Sequence, residues 1–295
     1  MIAGRVGVTS IEASRLPMGA CIAGVRAIEE LGYPTIWIPE GGFLKEAFAN
    51  CGVLLASTER IVIATAIANI HAREPSTMAN GAKTLAEAFP GRFVLGMGIG
   101  HAEEVESALG RSYDKPIATM RHYLDGMDGA PYRGPEPGRP AAILIAAMAP
   151  RMLALAAERT AGTHPYFVPV AHTAAARAAV GAGPTIAVGL PVVLDDDATR
   201  ARATAREHAA KYLRWKNYRA NLRRAGYGEE EIDGHGSDRL VEDIIVQGDA
   251  QAIRARVLEH LEAGADHVSV QPLPAFGDRF PVEALTRLAP ALLDL

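Results

Sequence analysis

Three alternating glycines are followed directly by a histidine in the run Gly96-Met97-Gly98-Ile99-Gly100-His101. Glycine lacks a side chain, so a backbone of this kind can approach a ligand closely; close packing between strands is the alternative explanation. His101 can accept or donate a proton near neutral pH because the ordinary pKa of histidine is about 6.5. The run therefore predicts a ligand-binding segment that ends in a candidate proton-transfer residue.

Eight short apolar runs recur along the chain, and each is followed by a helical pattern. Such an alternation is what an α/β protein of the (β/α)8 TIM-barrel class requires, and the chemistry of these barrels lies at the carboxyl ends of the strands. The run that carries the glycines is the fourth, so we expect His101 at the barrel mouth. The predicted strands are residues 5–8, 35–39, 61–67, 92–101, 142–146, 164–168, 185–194 and 267–271.

Two segments are longer than ordinary connections. Residues 128–140 are rich in Gly and Pro, which predicts an exposed loop between the fourth helix and the fifth strand. Residues 195–248 are mostly helical and highly charged, so we expect a helical insertion between strands seven and eight that could lie over the barrel mouth. Basic and aromatic residues mix in its stretch 211–224, which favours either a basic lid over an anionic ligand or a solvated helix face.

The composition fits one domain that spans residues 1–295, with 49% hydrophobic and 6% aromatic residues. A net charge of -4 predicts neither a nucleic-acid nor a membrane partner. Cys21 and Cys51 fall in predicted helices without metal-ligand spacing, so we expect reduced core thiols and no metal site. The chain start has no charged leader before a long apolar stretch, and no segment reaches the roughly 20 apolar residues of a membrane helix. We therefore expect a cytoplasmic protein.

A second set of candidate residues follows the fifth strand. Ala146-Ala147-Met148-Ala149 leads straight into a helix, so free N–H groups at the helix start and the side chain of Arg151 could hold a phosphate. Arg151 could instead pair with Glu158 or another surface acid. Beyond the third strand, His71 is either a catalytic group or a loop residue that makes a hydrogen bond.

Several motifs together carry a family resemblance: Glu30-Leu31-Gly32-Tyr33, Trp37-Ile38-Pro39-Glu40, Arg73-Glu74-Pro75 and residues 91–98. They resemble the luciferase-like monooxygenase superfamily, in particular its actinobacterial branch that uses the deazaflavin coenzyme F420. Matching stretches extend over nearly the whole chain. The resemblance implies an oxidoreductase that transfers a hydride between C5 of the deazaflavin and a small organic substrate, and it implies a homodimer.

The resemblance also implies which residues meet the cofactor and carry the chemistry. A cis peptide that is not prolyl is implied between Ala66 and Ile67. The implied cofactor contacts are Pro39, Glu40, Ala66, Ile67, Ile99, Gly100, His101, Ala146, Ala147, Met148 and Ala149. For the group that donates a proton to the substrate, His101 comes first, followed by Glu40 and His71, and Glu40 could instead cap a helix or contact the ring.

Two departures from the family pattern leave alternatives open. Relatives often have Asp-His after the second strand, where this chain has Glu40-Gly41. They also tend to have glycine where Met148 or Ala149 stands, and side chains there would restrict the approach of a phosphate. The alternatives are an FMN-dependent monooxygenase of the same superfamily and a deazaflavin-binding protein without catalytic activity.

Overall fold

The computed structural model describes residues 2–41, 43–275 and 277–295. In chain order the strands are β1 (Val6–Thr9), β2 (Thr35–Ile38), β3 (Val62–Thr65), β4 (Ala68–Asn69), β5 (Phe93–Gly98), β6 (Ala142–Ile145), β7 (Gly162–Thr163), β8 (Thr185–Leu194), β9 (Val246–Gly248) and β10 (His267–Pro272). The helices are α1 (Glu12–Arg15), α2 (Met18–Glu30), α3 (Ala47–Ala56), α4 (Pro75–Ala88), α5 (Ala102–Ala108), α6 (Pro116–Asp128), α7 (Pro150–Arg159), α8 (Val170–Val180), α9 (Ala198–Leu213), α10 (Lys216–Arg224), α11 (Glu229–Ile232), α12 (Asp238–Ile244), α13 (Ala250–Glu262) and α14 (Val282–Leu292), and a 3-10 turn covers Ile70–Ala72.

Eight parallel strands close a barrel in the order β1, β2, β3, β5, β6, β7, β8 and β10. The last strand pairs on one side with β8 and on the other with β1, which completes the ring. The remaining two strands extend it locally, because β4 pairs with β5 and β9 pairs with the far end of β8. The predicted (β/α)8 TIM barrel is confirmed.

The sixth barrel strand is the one that the sequence placed wrongly. The predicted run 164–168 lies just after the observed strand β7. Pro165 has no N–H to donate to a ladder, and Phe167 has a φ of 55°, which ends extended backbone. Only an isolated bridge from Tyr166 to Gly189 continues the pairing with β8. His164, Pro165 and Tyr166 of this run line the cavity at the barrel mouth. Phe167 and Val168 are buried in the hydrophobic clusters.

The helical insertion between barrel strands seven and eight is confirmed. Helices α9 to α12 and strand β9 lie between β8 and α13. Their buried apolar side chains form a cluster that includes Leu213, Tyr218 and Leu222. Phe167, from the segment after β7, and Val193, from β8, belong to the same cluster, so the insertion packs against the carboxyl ends of the barrel strands.

Residues 129–141 form no helix or strand and are largely exposed, which confirms the predicted loop. Cys21 and Cys51 are free and buried, and burial raises the pKa of the Cys51 thiol, so it stays protonated. No described helix is long and apolar enough to cross a membrane. In the described part of the chain, no three His, Cys, Asp or Glu side chains are grouped as a metal site would need.

Gly96 lies where two barrel strands leave no room for a side chain. A Cβ atom at this position would lie 2.1 Å from the carbonyl oxygen of Thr65 on β3, and 3.5 Å from the ring of Trp37. Real side chains do not approach backbone oxygen so closely. Packing between strands therefore explains this glycine.

Gly96→Ala is expected to destabilise the protein by about 1–3 kcal/mol, because the Thr65 backbone must shift to admit the methyl group. Urea unfolding followed by circular dichroism measures the change. Gly52→Ala is the matched control: a Cβ there would meet Leu85 at 3.5 Å, an ordinary contact. Since Gly52 lies inside α3, alanine should stabilise the helix by about 0.5–1 kcal/mol. A Gly96→Ala protein as stable as the wild type would contradict this explanation.

Candidate active site

A cavity of about 840 Å³ opens at the carboxyl ends of the barrel strands. Its volume lies within the range of about 300–1,000 Å³ that is usual for cofactor and small-molecule sites. Every residue implied as a cofactor contact by the family resemblance lines this one cavity. These residues are Pro39, Glu40, Ala66, Ile67, Ile99, Gly100, His101, Ala146, Ala147, Met148 and Ala149.

The wall formed by β3, β5 and β6 is built from small and apolar side chains. The peptide bond between Ala66 and Ile67 is cis, as the resemblance implied. Directly beneath it, a Cβ on Gly98 would meet the Ile67 side chain at 3.0 Å and Ala146 at 3.2 Å. Gly100 has a φ of 65°, and a Cβ there would lie 2.6 Å from the Asn69 amide nitrogen. These glycines let the strand ends pack into a compact wall beneath the cavity.

His101 precedes the first residue of α5 and lies in the cavity wall. Its Nδ1 atom is 3.1 Å from Oδ1 of Asn217, which belongs to α10 of the insertion. Its ring stacks on Trp215, with a centroid separation of 4.6 Å and an interplanar angle of 12°. Burial lowers the pKa of His101 below the usual 6.5, against the opposing effects of the Asn217 hydrogen bond and of Glu104 and Glu103. His101 is therefore mainly neutral at pH 7.

Glu40 is placed at the cavity edge, but its carboxylate is already engaged. Both oxygens accept hydrogen bonds from the Arg73 guanidinium, and the two side chains are only 7% and 8% exposed. Glu40 also accepts from the backbone N–H of Ala47, the first residue of α3, at 3.1 Å and from that of Asn69 at 2.8 Å. The carboxylate thus caps α3 and ties the segments after β2 and β3 together.

His71 and Arg151 are not brought into the cavity. His71 lies in the 3-10 turn, where its backbone N–H donates to Asn69 Oδ1 and its ring is 6.1 Å from that of Tyr113. Arg151 is exposed and is absent from the cavity wall. The alternative pairing with Glu158 is not formed either, since Glu158 binds both guanidinium nitrogens of Arg121. Neither residue lines the cavity.

A polar cluster on another part of the cavity wall was missed by the sequence analysis. The Tyr166 hydroxyl donates to Gln271 Oε1 at 2.5 Å and lies 2.7 Å from Nε2 of His208. Burial raises the pKa of Tyr166 and lowers that of His208 to about 3, so both groups are uncharged at pH 7. The position of Gln271 at the end of the eighth predicted strand could have pointed to it, whereas His208 lies in the insertion and no motif marks it.

Part of the basic stretch of the insertion fits a lid over the cavity, and another part fits a solvated helix face. Lys211, Arg214 and Arg224 line the cavity together with aromatic residues of the same stretch. Arg223, in contrast, pairs with Glu229 on the outer surface. One face of the insertion therefore covers the cavity, and the other is a solvated helix face.

The fold and the cavity define a class of protein: a (β/α)8 barrel whose helical insertion covers a cofactor-sized site with a neutral histidine in its wall. The family model for luciferase-like monooxygenases matches residues 6–267. The chain belongs to this family, and the family relatives described next are enzymes.

Two sequence relatives are matched over part of their length. One is a Mycobacterium tuberculosis protein named provisionally as a coenzyme F420-dependent oxidoreductase, 32% identical over 101 residues, which are 34% of this chain and 29% of the relative. The other is a 5,10-methylenetetrahydromethanopterin reductase of Methanolobus tindarius, 28% identical over 203 residues, which are 60% of this chain and 62% of the relative. The chain thus matches less than two thirds of the length of either relative.

Solved structures share the fold over almost the whole chain. An F420-dependent secondary alcohol dehydrogenase, solved with an F420-acetone adduct, superposes with a TM-score of 0.76 and 14% identity, covering 98% of both chains. The oxygenating constituent of 3,6-diketocamphane monooxygenase of Pseudomonas putida, solved with FMN, superposes with a TM-score of 0.72 and 16% identity, covering 99% of both. At these identities the likeness establishes the fold.

Proposed function

We propose that the chain is a coenzyme F420-dependent oxidoreductase that transfers a hydride between the deazaflavin and a small organic substrate. The observation that carries the proposal is the single cavity whose wall contains every contact that the resemblance implies for the cofactor. The F420-dependent relatives and the F420-bound structural neighbour support the same cofactor.

The chemistry of the cavity suits a flat ring with an anionic tail. Ala66, Ile67, Ile99 and Ala146 offer an apolar surface against which a tricyclic ring can lie. At its end the wall continues through Met148 and Ala149 into α7, where no side chain caps the helix start, so this end of the wall suits a phosphate. When bound, the deazaflavin would supply a ring carbon that exchanges hydride with the substrate.

His101 is the group that we assign to proton transfer with the substrate. A proton-transfer group must come within hydrogen-bond reach of the substrate, and His101 lines the cavity. Glu40 is occupied by Arg73 and by backbone donors, and His71 lies outside the cavity. Among the three candidates from the sequence, His101 alone combines access with a neutral imidazole.

The experiment described below distinguishes this function from two others. An FMN-dependent monooxygenase is favoured by the FMN-bound structural neighbour. A binding protein without catalytic activity is favoured by Glu40-Gly41 in place of Asp-His and by the side chains of Met148 and Ala149. The proposal also includes a homodimer in the cytoplasm, and sedimentation of the purified protein tests the dimer.

Titration of the purified protein with F420 and with FMN, followed by cofactor fluorescence, tests the proposal. We expect F420 to bind in the micromolar range and FMN at least about tenfold more weakly, a difference of about 1.4 kcal/mol. Ala146→Leu should weaken F420 binding because the larger side chain enters the ring-binding wall. The same substitution at Ala174, which is exposed on α8, is the control.

The titration also distinguishes the other functions. Tighter binding of FMN would support the monooxygenase. Tight F420 binding without turnover of any alcohol, ketone, imine or activated alkene would support the binding protein. Failure of both cofactors to bind in the micromolar range would refute all three.

A further inference from the structure

Asn217 connects the helical insertion to the proposed proton-transfer group. Its Oδ1 atom faces Nδ1 of His101 at 3.1 Å. An amide oxygen only accepts hydrogen bonds, so the proton of the neutral imidazole must reside on Nδ1. The other ring nitrogen, Nε2, then carries a lone pair and no proton.

The ring of His101 is held in position by its other neighbours. Trp215 stacks on one face, and the ring of Tyr218 lies 5.5 Å away at an angle of 41°. Among the described residues, none forms a hydrogen bond with Nε2, while the side chain lines the cavity. The stacking sets the plane of the imidazole, and the Asn217 hydrogen bond sets its orientation within that plane.

The charges around His101 come from two elements. Glu103 and Glu104 in the first turn of α5 favour a protonated imidazole, whereas Arg214 of the insertion opposes it. Burial outweighs the acidic pair and keeps the pKa of His101 below 6.5. The resting imidazole is therefore ready to accept a proton at Nε2.

We infer that Asn217 is a positioning residue: it holds His101 in the tautomer whose Nε2 lone pair accepts the proton of a substrate hydroxyl. The inference rests on the proposed function and adds a direction and a substrate class to it. His101 Nε2 would accept the proton of the substrate O–H group, and the bound deazaflavin would supply the acceptor for the hydride of the adjacent C–H bond. A carbon–oxygen double bond would form, so an alcohol would be oxidised and the deazaflavin reduced.

The tautomer is tested without cofactor or substrate, by NMR of the protein labelled with 15N-histidine. His101→Gln identifies the His101 signals. We expect the wild type and Asn217→Asp to carry the proton on Nδ1, with the carboxylate raising the pKa of His101 by about 1–2 units. Asn217→Leu, which removes the acceptor, should lose this preference. A wild-type proton on Nε2, or an unchanged tautomer in Asn217→Leu, would overturn the inference while leaving F420 binding as a separate result.

The kinetic test uses F420 with 2-propanol and cyclohexanol as probes. Asn217→Leu should lower kcat by about 10–100-fold, the size of effect known for hydrogen-bond partners that orient metal-bound histidines, with little change in the Kd of F420. Asn217→Asp should restore activity and move the acid limb of the pH profile upward. Lys216→Ala, on the exposed face of α10, is the matched control. An equal loss in Lys216→Ala, or a further loss when Asn217→Leu is added to His101→Gln, would contradict a role exerted through His101.

Discussion

Replacing His101 with glutamine is expected to lower kcat by about 10²–10⁴-fold, the range that general acid–base groups contribute. Glutamine is of similar size and polarity, but it does not exchange a proton at neutral pH. The change in deazaflavin absorbance with a substrate that the wild type turns over measures kcat. Because the substitution keeps the bulk of the cavity wall, the Kd of F420 should change by no more than about threefold, equivalent to about 0.7 kcal/mol.

Two other histidines make this result interpretable. His122→Gln is the matched control, since His122 is exposed on α6 and lies outside the cavity. His71→Gln tests the rival candidate that the sequence offered. A large loss in His71→Gln together with normal turnover in His101→Gln would transfer the proton-transfer role to His71.

The direction of the pH dependence follows from the lowered pKa of His101. The reactive form in alcohol oxidation is the neutral imidazole, which predominates above that pKa. With the pKa below 6.5, kcat/KM should be level near pH 7 and should fall as the pH is lowered through the pKa. A limb that instead falls as the pH rises from 6 to 8 would show that the protonated form is required. The profile is measured with the same alcohol and saturating F420.

The barrel could be predicted because its strands are local features of the sequence. Runs such as residues 36–38 are continuously apolar, as expected for strands buried on both faces, and each lies before a helical pattern. The sixth strand could not be found this way, because it consists of Gly162 and Thr163 and neither carries an apolar signal. The prediction fell instead on the more apolar run 164–168, which follows this strand and is largely buried.

The contents of the active site were less predictable, because its contacts join distant parts of the chain. His101 and Asn217 are 116 positions apart, and Tyr166 and Gln271 are 105 apart. Residues at the ends of predicted strands could be assigned to the mouth by topology alone. The partners from the insertion could not, since their placement depends on how α9 and α10 pack on the barrel. Arg73 belongs to one of the family motifs, yet its contact with Glu40 could be seen only in the fold.

We expect the largest change in stability when the contact between Arg73 and Glu40 is broken. Arg73→Met removes the guanidinium from a pair whose side chains are 8% and 7% exposed, and it leaves the Glu40 carboxylate buried without a countercharge. Breaking a buried pair from one side costs about 3–5 kcal/mol. Because Glu40 keeps its backbone donors at Ala47 and Asn69, the cost should lie near 3 kcal/mol. The free energy of unfolding in urea measures it.

The double variant Glu40→Gln/Arg73→Met separates the loss of charge balance from the loss of packing. The glutamine amide at position 40 can still accept hydrogen bonds from the backbone donors but carries no charge. The double variant should therefore recover most of the stability lost in Arg73→Met. Arg121→Met is the control, because its pair with Glu158 is exposed and its removal should leave the unfolding midpoint almost unchanged. If the double variant were as unstable as Arg73→Met, the packing of the arginine stem, and not the buried carboxylate, would be responsible. Recovery would instead show that Arg73 stabilises the cavity edge by balancing the charge of Glu40.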